Sequence, residues 1–364
     1  MIAIDAVPAA KKQKTGVEWY AYRLLKKMNE LEPDLEVVLY SHRPLDFELK
    51  GRWINKVLKW DLPGWSKIRW SWELFNDRPD VIFVPGDELP LVLPGKVVTT
   101  IHDLGFKHHP EYYTSEQVRR LDRAHRRAVN SADKIIAITD VTRRDVVAEF
   151  GADDTKIETI HFGYDKAMFK VRGEGDGEVA RVRAKYELKK PYMFYVGRIE
   201  KKKGIAPFLK AWIAWKDQGD HDVDLVLGGT PGIVGYEKIR EIVESREDIH
   251  EIGHVEYQDL GPLRSGALVE VFPTRFEGFG MPTLEAMASG VPFVCSDLAV
   301  LREVGGDAPM YVPLDAQGAW MRALDEVMNV EVRDAMRERG LVRAQDFDWE
   351  TTARKTLDVL CSFL

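Results

Sequence analysis

The sequence predicts an α/β chain built from two doubly wound parallel sheets, and three observations carry this. Short β-branched runs alternate with longer amphipathic segments, the pattern of parallel strands joined by covering helices. The alternation breaks off in a glycine-rich stretch near residue 175 and then restarts. The length of 364 residues suits about two domains at roughly 150 residues each.

In the first half, strands are expected at Ile2–Ala6, Glu36–Tyr40, Val81–Val84, Val97–Ile101, Lys134–Thr139 and Lys156–Ile160. Between them, Gly16–Leu31 places Val17, Tyr20, Leu24, Leu25 and Met28 close to a helical period. Glu116–Asn130 and Val141–Phe150 read the same way, with Gly151 as the stop of the latter. The run Gly173-Glu174-Gly175-Asp176-Gly177 reads as an interdomain linker. Strands are then expected at Tyr192–Val196, Val223–Leu227, His250–Ile252, Val269–Phe272 and Phe293–Cys295. Helices are expected at Ala206–Lys216, Tyr236–Ser245, Gly261–Gly266 and Thr283–Ala288. Asp348 has the character of an N-cap for a last helix running to about Leu360.

A formal net charge of -7 argues against nucleic acid as a partner, a function that calls for a basic face. Cys295 and Cys361 lie far apart without metal-ligand spacing, as expected of reduced thiols in a cytoplasmic protein. The start Met1-Ile2-Ala3-Ile4 reads as a strand and not as a signal peptide. No apolar run approaches the ~18 residues of a membrane span.

The densest chemical signal runs from Pro273 to Gly290. It begins where the Val269–Phe272 strand ends. Gly278 and Gly280 permit a tight loop and close approach of backbone to ligand. Pro282 suits a first helical turn, so the helix at Thr283 turns its positive dipole end toward the loop, an arrangement fit for a diphosphate. Glu277 and Glu285 flank the loop with seven residues between them, and carboxylates accept well from sugar hydroxyls. Upstream, Gly197-Arg198 and Lys203-Gly204 follow a strand end, where two cations can offset a leaving diphosphate.

These residues resemble the retaining glycosyltransferase family 4, whose hallmark is a Glu-x7-Glu element enclosing Gly-Phe-Gly. The resemblance implies the GT-B fold: two Rossmann-like domains facing across a deep interdomain cleft. It implies that Glu277 contacts the donor sugar and Glu285 the ribose hydroxyls. Gly278, Phe279, Gly280, Met281, Pro282 and Thr283 then line the donor, and Arg198 and Lys203 clamp its diphosphate. Gly253-His254-Val255 resembles the family's turn near the base, with His254 in the place of the usual aromatic. The family's glycine-rich loop after the first strand matches Lys14-Thr15-Gly16-Val17, with Gly16 alone where two glycines are common. His102 in Ile101-His102-Asp103-Leu104 matches the histidine near the donor sugar. His102 and Asp103 are also metal-ligand types, but no further spacing supports a metal. The expected domains are 1–172 and 173–347, with 348–364 crossing back onto the first.

Five of the ten tryptophans, Trp53, Trp60, Trp65, Trp70 and Trp72, lie in 53–72 among Lys56, Lys59, Lys67 and Arg69. Core packing with solvated cations is one reading, and contact with an acceptor or a membrane surface is the other. The arginine-rich helix 116–130 faces the same choice.

The resulting expectation is sugar transfer from a nucleoside-diphosphate sugar to a glycan, lipid-linked or small-molecule acceptor, with retention and no metal or other cofactor. The resemblance leans toward mannosyltransferase-like members and hence GDP-mannose. The protein would be cytoplasmic or peripheral at the inner membrane face. A nucleotide-sugar epimerase and a non-catalytic sugar-nucleotide-binding protein of the same fold remain as alternatives. A glycosidase would leave the phosphate-binding elements without a purpose.

Overall fold

A computed structural model describes residues 1–60, 64–173, 175–219, 221–232 and 234–364. Residues 61–63 of the tryptophan-rich segment and Glu174 of the glycine-rich run lie outside the described residues. The chain divides into two units: Met1–Gly163 with Phe347–Leu364, and Tyr164–Asp346.

The first unit holds a parallel sheet of β1 (Ile2–Asp5), β2 (Val37–Ser41), β3 (Trp53–Val57), β4 (Val81–Val84), β5 (Lys96–Ile101), β6 (Lys134–Ala137) and β7 (Ile157–Thr159). The order is β3-β2-β1-β4-β5-β6-β7. In the second unit β8 (Tyr192–Val196), β9 (Asp224–Gly228), β10 (Ile249–Gly253), β11 (Val269–Phe272), β12 (Phe293–Ser296) and β13 (Met310–Val312) form a parallel sheet. Its order is β10-β9-β8-β11-β12-β13. Both are Rossmann-like, and each reverses direction of winding once, between β1 and β4 and between β8 and β11. Ligands of such sheets bind outside the carboxyl ends of the strands at that point.

The central strands explain why these runs are strands at all. Ile2, Ala3, Ile4, Val81, Ile82 and Phe83 are fully buried, as expected where helices cover both faces. In the first helix, Gly16–Leu31, the core face comprises Tyr20, Ala21, Leu24, Leu25, Met28 and Asn29, whereas Val17 is exposed. Gly151 ends the helix Asp140–Phe150 in the left-handed region, which glycine tolerates without strain.

Four expectations need correction. The domain boundary falls at 163/164, not 172/173, because residues 164–172 pack within the second unit. There Asp165 accepts from the Tyr257 hydroxyl at 2.8 Å, and the Arg172 guanidinium donates to Met168 O at 3.0 Å. Asp176 of the glycine-rich run caps a helix, Gly177–Lys185, by accepting from the backbone N–H groups of Glu178 and Val179. Strands β3 and β13 were not expected; both are edge strands, one half-exposed and the other three residues long. The helix expected at Gly261–Gly266 starts four residues earlier and spans Tyr257–Ser265 with Pro262 inside it.

The last helix, Trp349–Cys361, belongs to the first unit and packs along Gly16–Leu31. Asp348 caps it by accepting from Glu350 N–H at 3.2 Å. Trp349 stacks on Phe162, and the Thr352 hydroxyl donates to His161 O at 2.8 Å. Gly163 makes this approach feasible, since a Cβ there would lie 2.1 Å from the Trp349 nitrogen.

Candidate active site

The second unit brings the loops after β8 and β11 together at its switch point. Arg275 N–H donates to Lys202 O at 3.0 Å, tying one loop to the other. Gly204 has φ +60°, and a Cβ on it would lie 1.9 Å from Pro273 O. That contact brings Lys203 to Glu277: Nζ donates to Oε1 at 2.6 Å. The Thr274 hydroxyl donates to the same oxygen at 2.8 Å. Both members of the ion pair are largely buried, with 18% and 14% of their side chains exposed. Lys203 has three donors, so two remain for phosphate oxygens while Glu277 keeps its own. Arg198 is exposed at the end of β8, and its carbonyl accepts from the Tyr195 hydroxyl at 3.0 Å.

The loop after β11 enters the helix Met281–Ala288 through Gly280, which has φ +83°. A Cβ on Gly280 would lie 2.4 Å from a Leu301 methyl. Phe279 is buried, Gly278, Met281 and Pro282 are half-buried, and Thr283 is buried with its N–H on Gly280 O at 2.9 Å. Glu285, one turn further on, is paired with Arg264 at 2.6 Å. The structure therefore gathers Lys203, Glu277 and the 278–283 loop in the second unit, with Glu285 on the helix that follows.

His254 is exposed and Val255 buried, after Gly253 at the end of β10. Sequence reasoning missed the element beside them, Gly228-Gly229-Thr230 at the end of β9. Gly197 N–H donates to Gly228 O at 3.0 Å, and Gly229 N–H to Gly253 O at 2.7 Å. A Cβ on Gly229 would lie 1.8 Å from Gly197 O. The glycine pair directly after an apolar run was the available signal.

In the first unit, Gly16 opens the first helix, and a Cβ there would meet nothing within 4 Å. The helix end carries its own anion, because Glu18 accepts from Thr15 N–H at 3.0 Å and pairs with Lys11 at 2.7 Å. An incoming phosphate would therefore meet Glu18 at this helix end. His102 follows β5, with Nε2 3.1 Å from Pro85 O and the ring edge-on to Tyr20. A carbonyl only accepts, so Nε2 carries the proton and Nδ1 is the acceptor of the neutral ring. Burial lowers the pKa of His102 and favours that neutral form. Asp103 is spent on its own turn, accepting from Gly105 N–H at 2.7 Å. Among the described residues no group of three or more His, Cys, Asp or Glu side chains could hold a metal.

Sequence reasoning also missed Asp5, a buried carboxylate at the carboxyl end of β1. Burial pushes it from 3.8 up to about 7, against the pull of the Val7 N–H it accepts at 2.9 Å. The folded chain thus holds this proton to about pH 7, whereas the unfolded chain releases it near 3.8. Stability is lost as pH rises between those values. Asp5→Asn keeps an acceptor for Val7 and removes the titration. Its melting temperature relative to the parent should therefore be higher above neutral pH than near pH 4. A difference that does not change with pH would contradict this account of Asp5.

Residues 14–167 match the family described as Glycosyltransferase Family 4, and residues 178–341 match Glycosyl transferases group 1. O-antigen chain mannosyltransferase B of Escherichia coli is 30% identical over 295 residues, which cover 80% of this chain and 76% of that protein. A D-inositol 3-phosphate glycosyltransferase of Salinispora tropica is 30% identical over 247 residues, covering 64% of this chain and 51% of that protein. Among solved structures, the sucrose-phosphate synthase of Thermosynechococcus elongatus superposes with a TM-score of 0.75 at 18% identity, covering 98% of this chain and 97% of that one. WaaG, a glycosyltransferase involved in lipopolysaccharide biosynthesis, gives 0.75 at 15% identity over 99% of each chain. These two likenesses show the fold alone.

Proposed function

From the premise that this chain belongs to the group 1 and family 4 glycosyltransferases, we propose that it moves a hexose from a nucleoside-diphosphate sugar to a glycan or lipid-linked acceptor with retention. The observation that carries the donor site is the Lys203–Glu277 pair at the switch point of the second sheet, with exposed Arg198 on the same loop after β8. Arg198, Lys203 and the amino end of the helix Met281–Ala288 offset the charge growing on the departing diphosphate. Glu277 accepts from a sugar hydroxyl, Glu285 from the ribose, and the turn at His254 and Val255 frames the base. In the first unit, open space at Gly16 gives a ligand room beside the helix, and His102 offers Nδ1 to a sugar hydroxyl. None of these steps uses a metal. The mannosyltransferase relative supports mannose as the sugar, and GDP-mannose as the donor follows from that.

Thermal unfolding with GDP, UDP, ADP and their hexose conjugates tests the reading. A ligand present at 100 times its Kd adds about 2.7 kcal/mol. GDP and GDP-mannose should raise the melting temperature, and Glu285→Ala, with affinity about tenfold weaker, should roughly halve the rise. A rise with UDP alone would replace the donor, and no rise with any nucleotide at millimolar concentration would overturn the donor site. Retention is read from the anomeric configuration of the product.

For the acceptor side we propose peripheral contact with an anionic lipid surface. Trp53 and Trp70 are core residues, but Ile68, Trp72 and Phe75 are 55%, 65% and 54% exposed at helical spacing. Leu91 is also exposed, and its N–H donates at 2.8 Å to Ser71, the first residue of the helix Ser71–Asp77 that carries Trp72 and Phe75. The Arg127 guanidinium from the arginine-rich helix donates to Leu91 O at 3.1 Å, so both segments meet the 90–92 loop. An apolar stripe beside cations is what such a surface recruits. No helix among the described residues is long and apolar enough to cross a membrane. Trp72→Ser with Phe75→Ser should cut binding to phosphatidylglycerol vesicles by roughly 100-fold or more, at about 1.5–3 kcal/mol for each of the two large side chains buried. Unchanged sedimentation with vesicles would refute the contact.

A further inference from the structure

β11 carries a charge where a parallel sheet has none to spare. Glu270 lies between Val269 and Val271, pairs in register with Phe194 of β8, and is fully buried. Its partner is Arg264 on the helix Tyr257–Ser265, whose Nε donates to Glu270 Oε2 at 2.8 Å and whose side chain is 1% exposed. Burial pushes Glu270 up to about 7, even with Arg264 pulling it down. Burial also works against the charge of Arg264, yet Glu270 and Glu285 together hold it above the usual arginine value. An isolated buried pair of this kind adds little stability, since desolvation offsets the attraction. The pair has a third member, however. Arg264 Nη1 lies 2.6 Å from Glu285 Oε2, and Glu285, with 17% of its side chain exposed, is the member that reaches solvent. The Phe169 ring lies 5.1 Å from the guanidinium and helps to restrict it. A planar guanidinium fixed at one end by Glu270 thus sets the position of a carboxylate at the other.

We infer that Arg264, seated on buried Glu270, is a positioning residue for nucleotide binding: it fixes Glu285 so that its carboxylate meets the 2′- and 3′-hydroxyls of the donor's ribose. The inference rests on the reading of Glu285 as the ribose anchor. A carboxylate free to rotate loses the entropy of fixing on each binding event, whereas one already fixed does not. Lysine cannot replace Arg264, because an ammonium has no rigid fork to span two carboxylates.

The test is the ratio of affinities for a nucleoside diphosphate and its 2′-deoxy form, measured by titration calorimetry with GDP, dGDP, UDP and dUDP. The parent should prefer the ribose form by about tenfold, the loss expected when a charged group forfeits one hydrogen bond. Glu285→Ala should abolish the preference. The double variant Arg264→Met, Glu270→Leu replaces the buried pair with apolar groups and should fold, while its ratio falls toward one. Arg264→Lys, read the same way, keeps the test intact if the double variant does not fold. Adding Arg264→Lys to Glu285→Ala should change the ratio no further. A folded Arg264 variant that keeps the parent's ratio overturns the positioning role and leaves the donor site standing. A parent that binds nucleotide without preferring ribose overturns the inference through Glu285. A parent that binds no nucleotide fails the donor reading itself.

Discussion

Lys203→Ala is expected to reduce sugar transfer by about 10²–10³-fold, the cost of removing one fixed charge from a developing anion. The argument starts from the resting pair. Lys203 Nζ is 2.6 Å from Glu277 Oε1, and both are largely shielded from water. Removing the lysine leaves a largely buried carboxylate supported by the Thr274 hydroxyl at 2.8 Å. The variant therefore loses a phosphate donor and places an unopposed negative charge beside the diphosphate. Affinity and turnover should fall together. Glu277→Gln separates the two effects. It retains an acceptor for Thr274 and removes the negative charge, so nucleoside-diphosphate affinity should hold or rise. Transfer should still collapse, because the sugar loses its charged acceptor. Steady-state kcat and KM with calorimetric Kd for the nucleotide distinguish these outcomes. Parent-like turnover in Lys203→Ala would remove Lys203 from the chemistry, and weaker nucleotide binding in Glu277→Gln would show that the glutamate holds the diphosphate side.

The contrast between the readable and unreadable parts of this chain has a physical basis. Ile2–Asp5, Val81–Val84 and Val269–Phe272 are buried on both faces, so their composition announces them. The loop 273–283 was legible because glycine and proline there answer local constraints, as the Leu301 contact with Gly280 shows. β3 was not, since only Trp53 of its five residues is buried and its other positions are exposed or only partly buried. The unit boundary was misplaced because glycine composition was read as slack. The run near 175 leads into a capped helix, while Gly163 at the true boundary serves a close contact with Trp349. The Arg264–Glu270–Glu285 network was invisible because its members are distant in sequence and buried charges look like solvated ones. A glutamate inside the run Val269–Phe272 was the one clue.

Glycines make the last prediction, since two that look alike in sequence should behave in opposite ways. Gly204→Ala adds a methyl 1.9 Å from Pro273 O and 2.9 Å from Leu314, at a φ of +60°. The left-handed backbone costs a side chain roughly 1–2 kcal/mol and the overlap a further 1–3 kcal/mol, about 3 kcal/mol together. For a unit of this size that corresponds to a melting temperature lower by about 6–12 °C. The displacement is also aimed at the site, because the 201–204 turn rests on the Pro273 carbonyl through this glycine, and Lys203 precedes it. Nucleotide binding should weaken with the fold still formed at low temperature. Gly16→Ala adds its methyl to open space at a φ outside the left-handed region, so stability should hold. If a ligand phosphate approaches the first helix there, transfer falls in Gly16→Ala while the melting temperature does not. If both properties are unchanged, that helix end takes no part in binding, and Glu18, which already caps it beside Lys11, is the reason. A Gly204→Ala protein as stable as its parent would show that the two loops are not held together by the contact described.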